Sequence, residues 1–481
     1  MMPRELIQEF GAFVFENNPD AIKIAALNPE NAVLRRYVKE RFDNKVEWFR
    51  AAKEDVDFML KNLKRDFKNE ILELAATAVE NNENITKIVD AVMEYAFYEK
   101  ASDIHIEPLR NEIAVRFRID GALHQMLMLP RNIHQALVAR IKIIANLRID
   151  EYRRPQDGRI EPENFPNISL RTSIMPTLFG EKVVLRILDD SQKNISIEEL
   201  GFSEEQKNTI LENIEKPFGM IIASGPTGSG KTTTLYALLQ LLKKEGLNIS
   251  TLEDPIEYVL SGVNQIQINP QAGLTFPTGL RALLRQDPNV MMVGEIRDME
   301  TAAMAANAAM TGHIVFTTIH TNDAASAFTR FLEMKVDDFV VSSTINLVIA
   351  QRLVRRVCDK CAEERKLDKV TLKKIKERKD VVAALKERNK ELFEKLDEMV
   401  FRQGKGCEYC FQTGYSGRIG IFELLKPNKE IHDLILNHKS SENIETAAAK
   451  EGFRNMIIDG IDKVLSGITT FEEVLRTTKN V

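Results

Sequence analysis

With 481 residues, 44% of them hydrophobic and 28% charged, the chain is long enough for about three soluble globular domains. A formal net charge of −5 gives no global drive toward nucleic acid. No apolar run approaches the ~18 residues of a membrane span; the longest uncharged stretch, Phe339–Gln351, is broken by Ser342, Ser343, Thr344 and Asn346. Met1–Glu5 has no signal-peptide apolar region, so the expected compartment is the cytoplasm, with membrane contact only through partners.

In chain order, Ile22–Leu27 reads as a strand and Pro29–Arg41 as a helix entered through Asn28. Val46–Arg50 reads as a second strand and Glu54–Leu63 as a second helix. Residues 1–68 are therefore expected to form a small α/β module. Residues 69–83 follow as a linker, and the charged stretch 61–73 reads as linker or solvated helix rather than a binding tail.

A second α/β unit is expected over 84–194. It opens with a helix, Ile85–Glu99, and a strand, Ser102–Glu107. Two strands of period-2 alternation, Glu112–Arg118 and Leu123–Leu129, are joined by a turn at Ile119–Gly121. A helix at Ile133–Ala145 and strands at Ile168–Ser173 and Val183–Leu188 complete it. Arg116 and Arg118 alternate with Val115, Phe117 and Ile119, so both guanidiniums should leave one strand face, and Arg131 follows the second strand.

Residues 195–355 hold apolar strand-like runs at 219–223, 248–252, 290–293 and 314–318, separated by helical segments; this pattern implies a mostly parallel sheet. The first run leads into Gly225, Pro226, Thr227, Gly228, Ser229, Gly230, Lys231 and Thr232, a full match to the phosphate-binding pattern G-x-x-x-x-G-K-[ST]. Its glycines let backbone N–H groups turn inward around an anion, and the helix that follows adds its positive end. Lys231 can reach the β- and γ-phosphates of ATP, the Thr232 hydroxyl can ligate Mg²⁺, and Thr233 lies beside it.

Hydrolysis also needs acidic groups at strand ends beside this loop. Val290–Glu295 is an apolar strand ending in a carboxylate, and Ile249–Glu257 brings Glu253, Asp254 and Glu257 after another. His313–Asp323 places His313 and His320 at the two ends of a third.

All four cysteines fall in two pairs, Cys358-x-x-Cys361 and Cys407-x-x-Cys410. Four thiolates in two chelating pairs suit a structural Zn²⁺, the alternative being four reduced buried cysteines. The charged segment between the pairs, Ala362–Gly404, reads as a solvated helical arm. Residues 356–412 are expected to form the zinc region, and 413–481 a helical C-terminal part.

The chain resembles the secretion ATPases that power type II secretion and type IV pilus assembly. The resemblance rests on Ala101–Pro108, Arg116–Gly121, Arg154–Arg159, Gly225–Thr232, Glu253–Glu257 and Leu284–Pro288. It continues through Gly294–Asp298, Thr311–His313, His320–Asn322, Gly414–Glu423 and Gly467–Thr470, covering about residues 80–481. Asn289 stands where relatives often have Asp.

The resemblance implies a RecA-like P-loop core preceded by a PAS-like α/β domain, with a zinc-clasped helical C-terminal part. By matching positions, Glu295 is the Walker B glutamate that helps activate water, and Glu253, Asp254 and Glu257 form the acidic box. His313 and His320 are the ends of the histidine box, with His320 sensing the γ-phosphate. Arg116, Arg131 and, as a nucleotide contact, Arg118 are the arginines of the preceding domain. The implied assembly is a homohexamer acting on an inner-membrane platform protein with a cytoplasmic or membrane adaptor, and nucleic acid is not an expected partner. A cysteine clasp goes with assembly rather than retraction motors. The stretch Ala25–Glu30 resembles part of the family's N-terminal domain, which implies a docking module; cyclic di-GMP binding, found in some relatives, is not expected, since the paired arginine-and-leucine motifs of that site are not found. A DNA-uptake motor and a slowly cycling regulatory scaffold are the alternatives.

Overall fold

The computed structural model describes residues 10–17, 22–41, 45–78, 82–162, 165, 168–189, 196–243, 246–388 and 390–479. The chain divides into two compact units, residues 1–189 and 190–481.

The first unit begins with a three-stranded sheet of β1 (Ala12–Asn17), β2 (Ile22–Ala26) and β3 (Val46–Arg50), in that order, with β2 and β3 parallel. β1 is an addition to the expected pattern. The helix Ala32–Arg41 is shorter at its start than expected: Asn31, not Asn28, accepts the N–H groups of Val33 (3.0 Å) and Leu34 (3.1 Å). Leu34 and Val38 pack its apolar stripe against Ala12, Ile22, Ile24 and Ala26.

The helix expected at Glu54–Leu63 runs instead from Lys53 to Thr77, through the charged stretch 61–73 and into the linker expected at 69–83. The charged residues there hid its buried stripe of Phe67, Ile71 and Ala75. Phe67 stacks on Tyr95 of the next helix, Asn82–Tyr98, with ring centroids 5.7 Å apart.

A six-stranded antiparallel sheet completes the unit, with β4 (Asp103–Pro108), β5 (Glu112–Ile119), β6 (Ala122–Pro130), β7 (Gln156–Ile160), β8 (Ile168–Thr177) and β9 (Gly180–Asp189) in the order β6-β5-β4-β9-β8-β7. Val115, Phe117 and Ile119 are buried and Arg116 and Arg118 are not, as the alternation requires. The helix His134–Ile144 carries the buried Lys142, whose Nζ lies 2.7 Å from a Glu181 carboxylate oxygen.

The second unit is built on a seven-stranded sheet. Its strands are β10 (Gly219–Ser224), β11 (Ile249–Glu253), β12 (Asn264–Gln267), β13 (Val290–Val293), β14 (Ile314–Ile319), β15 (Ile345–Val357) and β18 (Tyr415–Leu425). They lie in the order β12-β11-β13-β14-β10-β15-β18, and all pair in parallel except β18 on β15.

Alternate residues of the wholly buried β10 supply two cores. Ile221 and Ala223 meet Leu235, Leu238 and Leu239 of the helix Lys231–Leu242 on one face. Met220 and Ile222 join Ala302, Ala305, Ala309 and Phe328 on the other. The alanines of the helix Met299–Met310 allow close approach to the sheet. Because the central strands are parallel, their carboxyl ends share one edge, where open α/β sheets bind ligands.

The segment between the cysteine pairs is not a solvated arm. β16 (Ala362–Lys366) pairs with β17 (Val400–Gly404), and the helices Lys369–Glu377 and Lys379–Arg388 lie between them. Ile375, Val381, Leu385, Leu396 and Phe401 are buried against Ile457, Ile461, Phe471 and Val474 of the C-terminal helices. The charges occupy only the outer faces. Among the described residues, no helix is long and apolar enough to cross a membrane.

Candidate functional site

The phosphate loop leaves the end of β10 and enters the helix Lys231–Leu242. Gly225 has φ 143°, and a Cβ there would lie 2.6 Å from the Gln351 carbonyl oxygen and 2.7 Å from Ser229 Oγ. Only glycine fits. Pro226, Thr227 and Gly228 are exposed, and Thr232 and Thr233 are partly so, which leaves their polar groups open to a ligand. Gly230, at φ 89°, completes the turn into the helix.

Lys231 donates from Nζ to the carbonyls of Gly225 (2.8 Å) and Pro226 (3.1 Å). Burial pushes its ammonium down to about 8, with Glu295 pulling the other way and Arg352 adding to the fall. A phosphate is the kind of partner that restores the charge.

Glu295 follows β13 at the same edge. Arg297 Nε donates to its Oε2 at 2.6 Å, and His320 Nε2 lies 3.6 Å from that oxygen. Burial and then the Lys231 charge hold the His320 imidazolium below its ordinary pKa, against the pull of Glu295. The structure thus gathers Lys231, Glu295 and His320 at the carboxyl ends of three adjacent strands, β10, β14 and β13.

The other expected groups are differently placed. Glu253 is buried: Oε1 accepts from Thr251 Oγ1 (2.5 Å) and Gln265 Nε2 (3.1 Å), and Oε2 accepts from the Tyr236 hydroxyl. Both oxygens are committed inside the fold. Asp254 and Glu257 are exposed at the edge. His313 precedes β14 and so falls at the opposite edge of the sheet, roughly 20 Å along the strand from His320. There its Nδ1 lies 2.9 Å from the Ala308 carbonyl. The fold separates the two histidines because they flank a strand rather than a turn.

Arg116, Arg118 and Arg131 belong to the first unit. Arg116 Nη1 lies 3.3 Å from Glu107, Arg118 donates to the Gly121 carbonyl at 3.0 Å, and Arg131 donates to the Phe179 carbonyl.

Two groups on β15 were not anticipated. Gln351 Nε2 donates to the Ser229 carbonyl at 2.7 Å, bracing the phosphate loop from the next strand. Arg352 Nη2 reaches Asn322 Oδ1 at 3.2 Å. They end the uncharged run Phe339–Gln351, and a polar pair closing such a run was the available signal.

The four cysteines converge. Their sulfurs all lie within 4.8 Å of one another, with Cys358 to Cys407 at 4.0 Å, Cys361 to Cys410 at 3.9 Å and Cys407 to Cys410 at 3.7 Å. A tetrahedron of sulfurs ~2.3 Å from a central zinc has edges of about 3.8 Å, so the cluster fits that ion and is too open for disulfides. Although burial pushes the other way, the N–H groups of Cys407 and Gly414 bring the Cys410 thiol down to about 7.

The family model described as type II/IV secretion system protein matches residues 78–476. The type IV pilus assembly ATPase PilB of Thermus thermophilus is 44% identical over 440 residues, covering 91% of this chain and 47% of that protein. The chain thus spans about half the length of that relative. The type II secretion system ATPase E of Vibrio cholerae is 41% identical over 405 residues, 83% of this chain and 76% of that one. Among solved structures, the Legionella pneumophila ATPase DotB aligns with TM-score 0.57 at 21% identity, over 80% of this chain and 93% of DotB. The pilus retraction motor PilT with bound ADP aligns with TM-score 0.54 at 24% identity, over 81% and 96%. These two likenesses establish the shared P-loop fold. With a family model spanning most of its length, the chain belongs to the type II/IV secretion system protein family.

Proposed function

We propose that this chain is an ATP-hydrolysing motor that drives assembly of a type IV pilus or a type II secretion pseudopilus. The observation that carries the reading is the meeting of Lys231, Glu295 and His320 at one sheet edge below the phosphate loop. ATP is the substrate. Lys231 and the loop amides hold its β- and γ-phosphates, and the Thr232 hydroxyl ligates the Mg²⁺ that neutralises phosphate charge. Glu295 orients and deprotonates the attacking water, and His320, as a neutral imidazole, hydrogen-bonds the γ-phosphate. Asp254 and Glu257 act at the exposed acidic edge. Glu253 acts by holding that edge in place, and His313 has no part in the site of its own chain.

Arg116, Arg118 and Arg131 supply the arginines that meet phosphate, in a homohexamer whose sites are completed by assembly. Cys358, Cys361, Cys407 and Cys410 hold a structural Zn²⁺. Residues 1–68 dock a membrane-associated adaptor. The ring works in the cytoplasm, peripheral to the inner membrane, against a platform protein.

The test is steady-state ATP hydrolysis against protein concentration, with light scattering alongside and Glu295→Gln as control. Activity per protomer that rises as a ring forms, and a silent variant, support a motor with shared sites. Low, flat activity indifferent to Glu295 refutes it and leaves the regulatory scaffold.

A further inference from the structure

The loop that carries His320 is gripped from three strands. Ser224, at the end of β10, places its Oγ 2.6 Å from Thr321 Oγ1 and donates to the Thr321 carbonyl at 3.1 Å. Arg352, on β15, reaches Asn322. The third grip comes from β18: Glu423 Oε1 accepts the Ala324 N–H at 2.6 Å, where the loop turns into the helix Ala325–Glu333.

Glu423 has a second partner of the same kind. Its Oε2 accepts the N–H of Met456 at 3.1 Å, the first residue of the helix Met456–Leu465. One carboxylate therefore closes the N-termini of two helices, one leading from the histidine loop and one in the C-terminal part. It is 2% exposed and sits opposite Ala350, next to the Gln351 that braces the phosphate loop.

A buried carboxylate in this position is costly unless both oxygens are used. The charges around it do little to help. Asp323 and Glu445 repel it, and Arg352 is the cation in reach. Burial accordingly pushes its carboxyl up to about 7, with the two N–H groups opposing. A hydrophobic side chain would fill the space at lower cost, so the two hydrogen bonds are the group's contribution.

We propose that Glu423 is a positioning residue for hydrolysis, holding the His320 loop and the start of the helix Met456–Leu465 together so that the two move as one. The inference rests on the reading of His320 as the γ-phosphate sensor. It assigns the sensor an output: a shift of the loop on loss of phosphate is passed through one side chain to the C-terminal helices. Glu423 touches no substrate and acts only through the loop.

The experiment is a double-mutant cycle on full-length protein, Glu423→Gln against His320→Ala, reading kcat and KM for ATP. Glutamine keeps the shape but turns one acceptor into a donor facing an N–H. At pH 8, where the carboxyl is ionised, the expected result is a kcat lowered about tenfold with KM within about twofold, the scale of one lost charge-assisted hydrogen bond. In the His320→Ala background, Glu423→Gln should cost nothing further. Additive losses overturn the inference while leaving the motor intact. An unimpaired His320→Ala overturns the sensor and the inference with it, and a wild type without hydrolysis overturns the motor itself.

Hydrogen exchange on the wild type, with and without a non-hydrolysable ATP analogue and Mg²⁺, needs no variant to fold. Segments containing Ala324 and Met456 should change protection together and by a similar factor. Movement of one without the other refutes the coupling.

Discussion

Glu473 takes four hydrogen bonds on one carboxylate, two from Arg355 that anchor the last helix, Phe471–Thr477, to β15 and two from Arg476 within that helix. Oε1 accepts from Arg355 Nη2 (2.6 Å) and Arg476 Nε (2.8 Å), and Oε2 from the Arg355 N–H (2.9 Å) and Arg476 Nη2 (2.7 Å). The side chain is 1% exposed. Burial alone would raise its pKa, yet the Arg476 and Arg355 bonds prevail and hold it at about 2, below the ordinary 4.5.

A carboxyl depressed in the folded state contributes stability that is full above the unfolded pKa and fades as pH falls through the folded one. At 1.36 kcal/mol per unit, the shift corresponds to about 3 kcal/mol at neutral pH, lost between pH ~4.5 and ~2. Glu473→Gln should therefore destabilise the second unit by about 3 kcal/mol at pH 7, read from urea unfolding followed by exchange of the terminal helix. The difference between variant and wild type, in which all other acidic groups cancel, should shrink toward zero as pH falls to 2. A difference below ~0.5 kcal/mol at pH 7, or one that is flat with pH, would refute the reasoning.

Gly225→Ala should abolish nucleotide binding, measured with a fluorescent ATP analogue, because its Cβ would strike the Gln351 carbonyl and Ser229; retained binding means that the loop has room the geometry denies. Tyr236→Phe removes the hydroxyl donor from buried Glu253 and should cost about 1–3 kcal/mol in thermal unfolding. An unchanged Tm would refute the claim that the hydroxyl is needed to satisfy Glu253. Metal analysis of purified protein should give one zinc per chain, and Cys361→Ser should lose it along with exchange protection over residues 358–414. A metal-free wild type with intact protection would leave the cysteines as a plain buried cluster.

The parallel core was legible because β10, β11, β13 and β14 are short buried runs, and the phosphate loop because its pattern ties Gly225–Thr232 to one conformation. What escaped reading was held by residues far apart in the chain. β15 mixes apolar with basic residues, since beyond Ala350 it outruns β10 and pairs with β18 alone, so its sequence shows no clean period. The helix Lys53–Thr77 is masked by charge on its outer face, and the packed segment between the cysteines by the same effect. The acidic box illustrates a different limit. Glu253, Asp254 and Glu257 are near neighbours in sequence, but the end of β11 turns Glu253 inward to Tyr236 and leaves Asp254 and Glu257 outside. Spacing brings such groups to an edge and cannot say which way each one faces.

β15 and β18 meet at Val357 and Tyr415, and the Cys358 N–H donates to the Gly414 carbonyl at 2.9 Å, so the cysteine segment leaves the sheet and returns to it at a single point. In design terms it is a cassette. Its footprint on the sheet is one turn, however many residues it holds, and strand register on either side is independent of its length. Lengthening its outer turns, or splicing a reporter domain into them, would leave the nucleotide edge in register. Excising the whole cassette would uncover Ile457, Ile461, Phe471 and Val474, and with them the face on which the last helices rest.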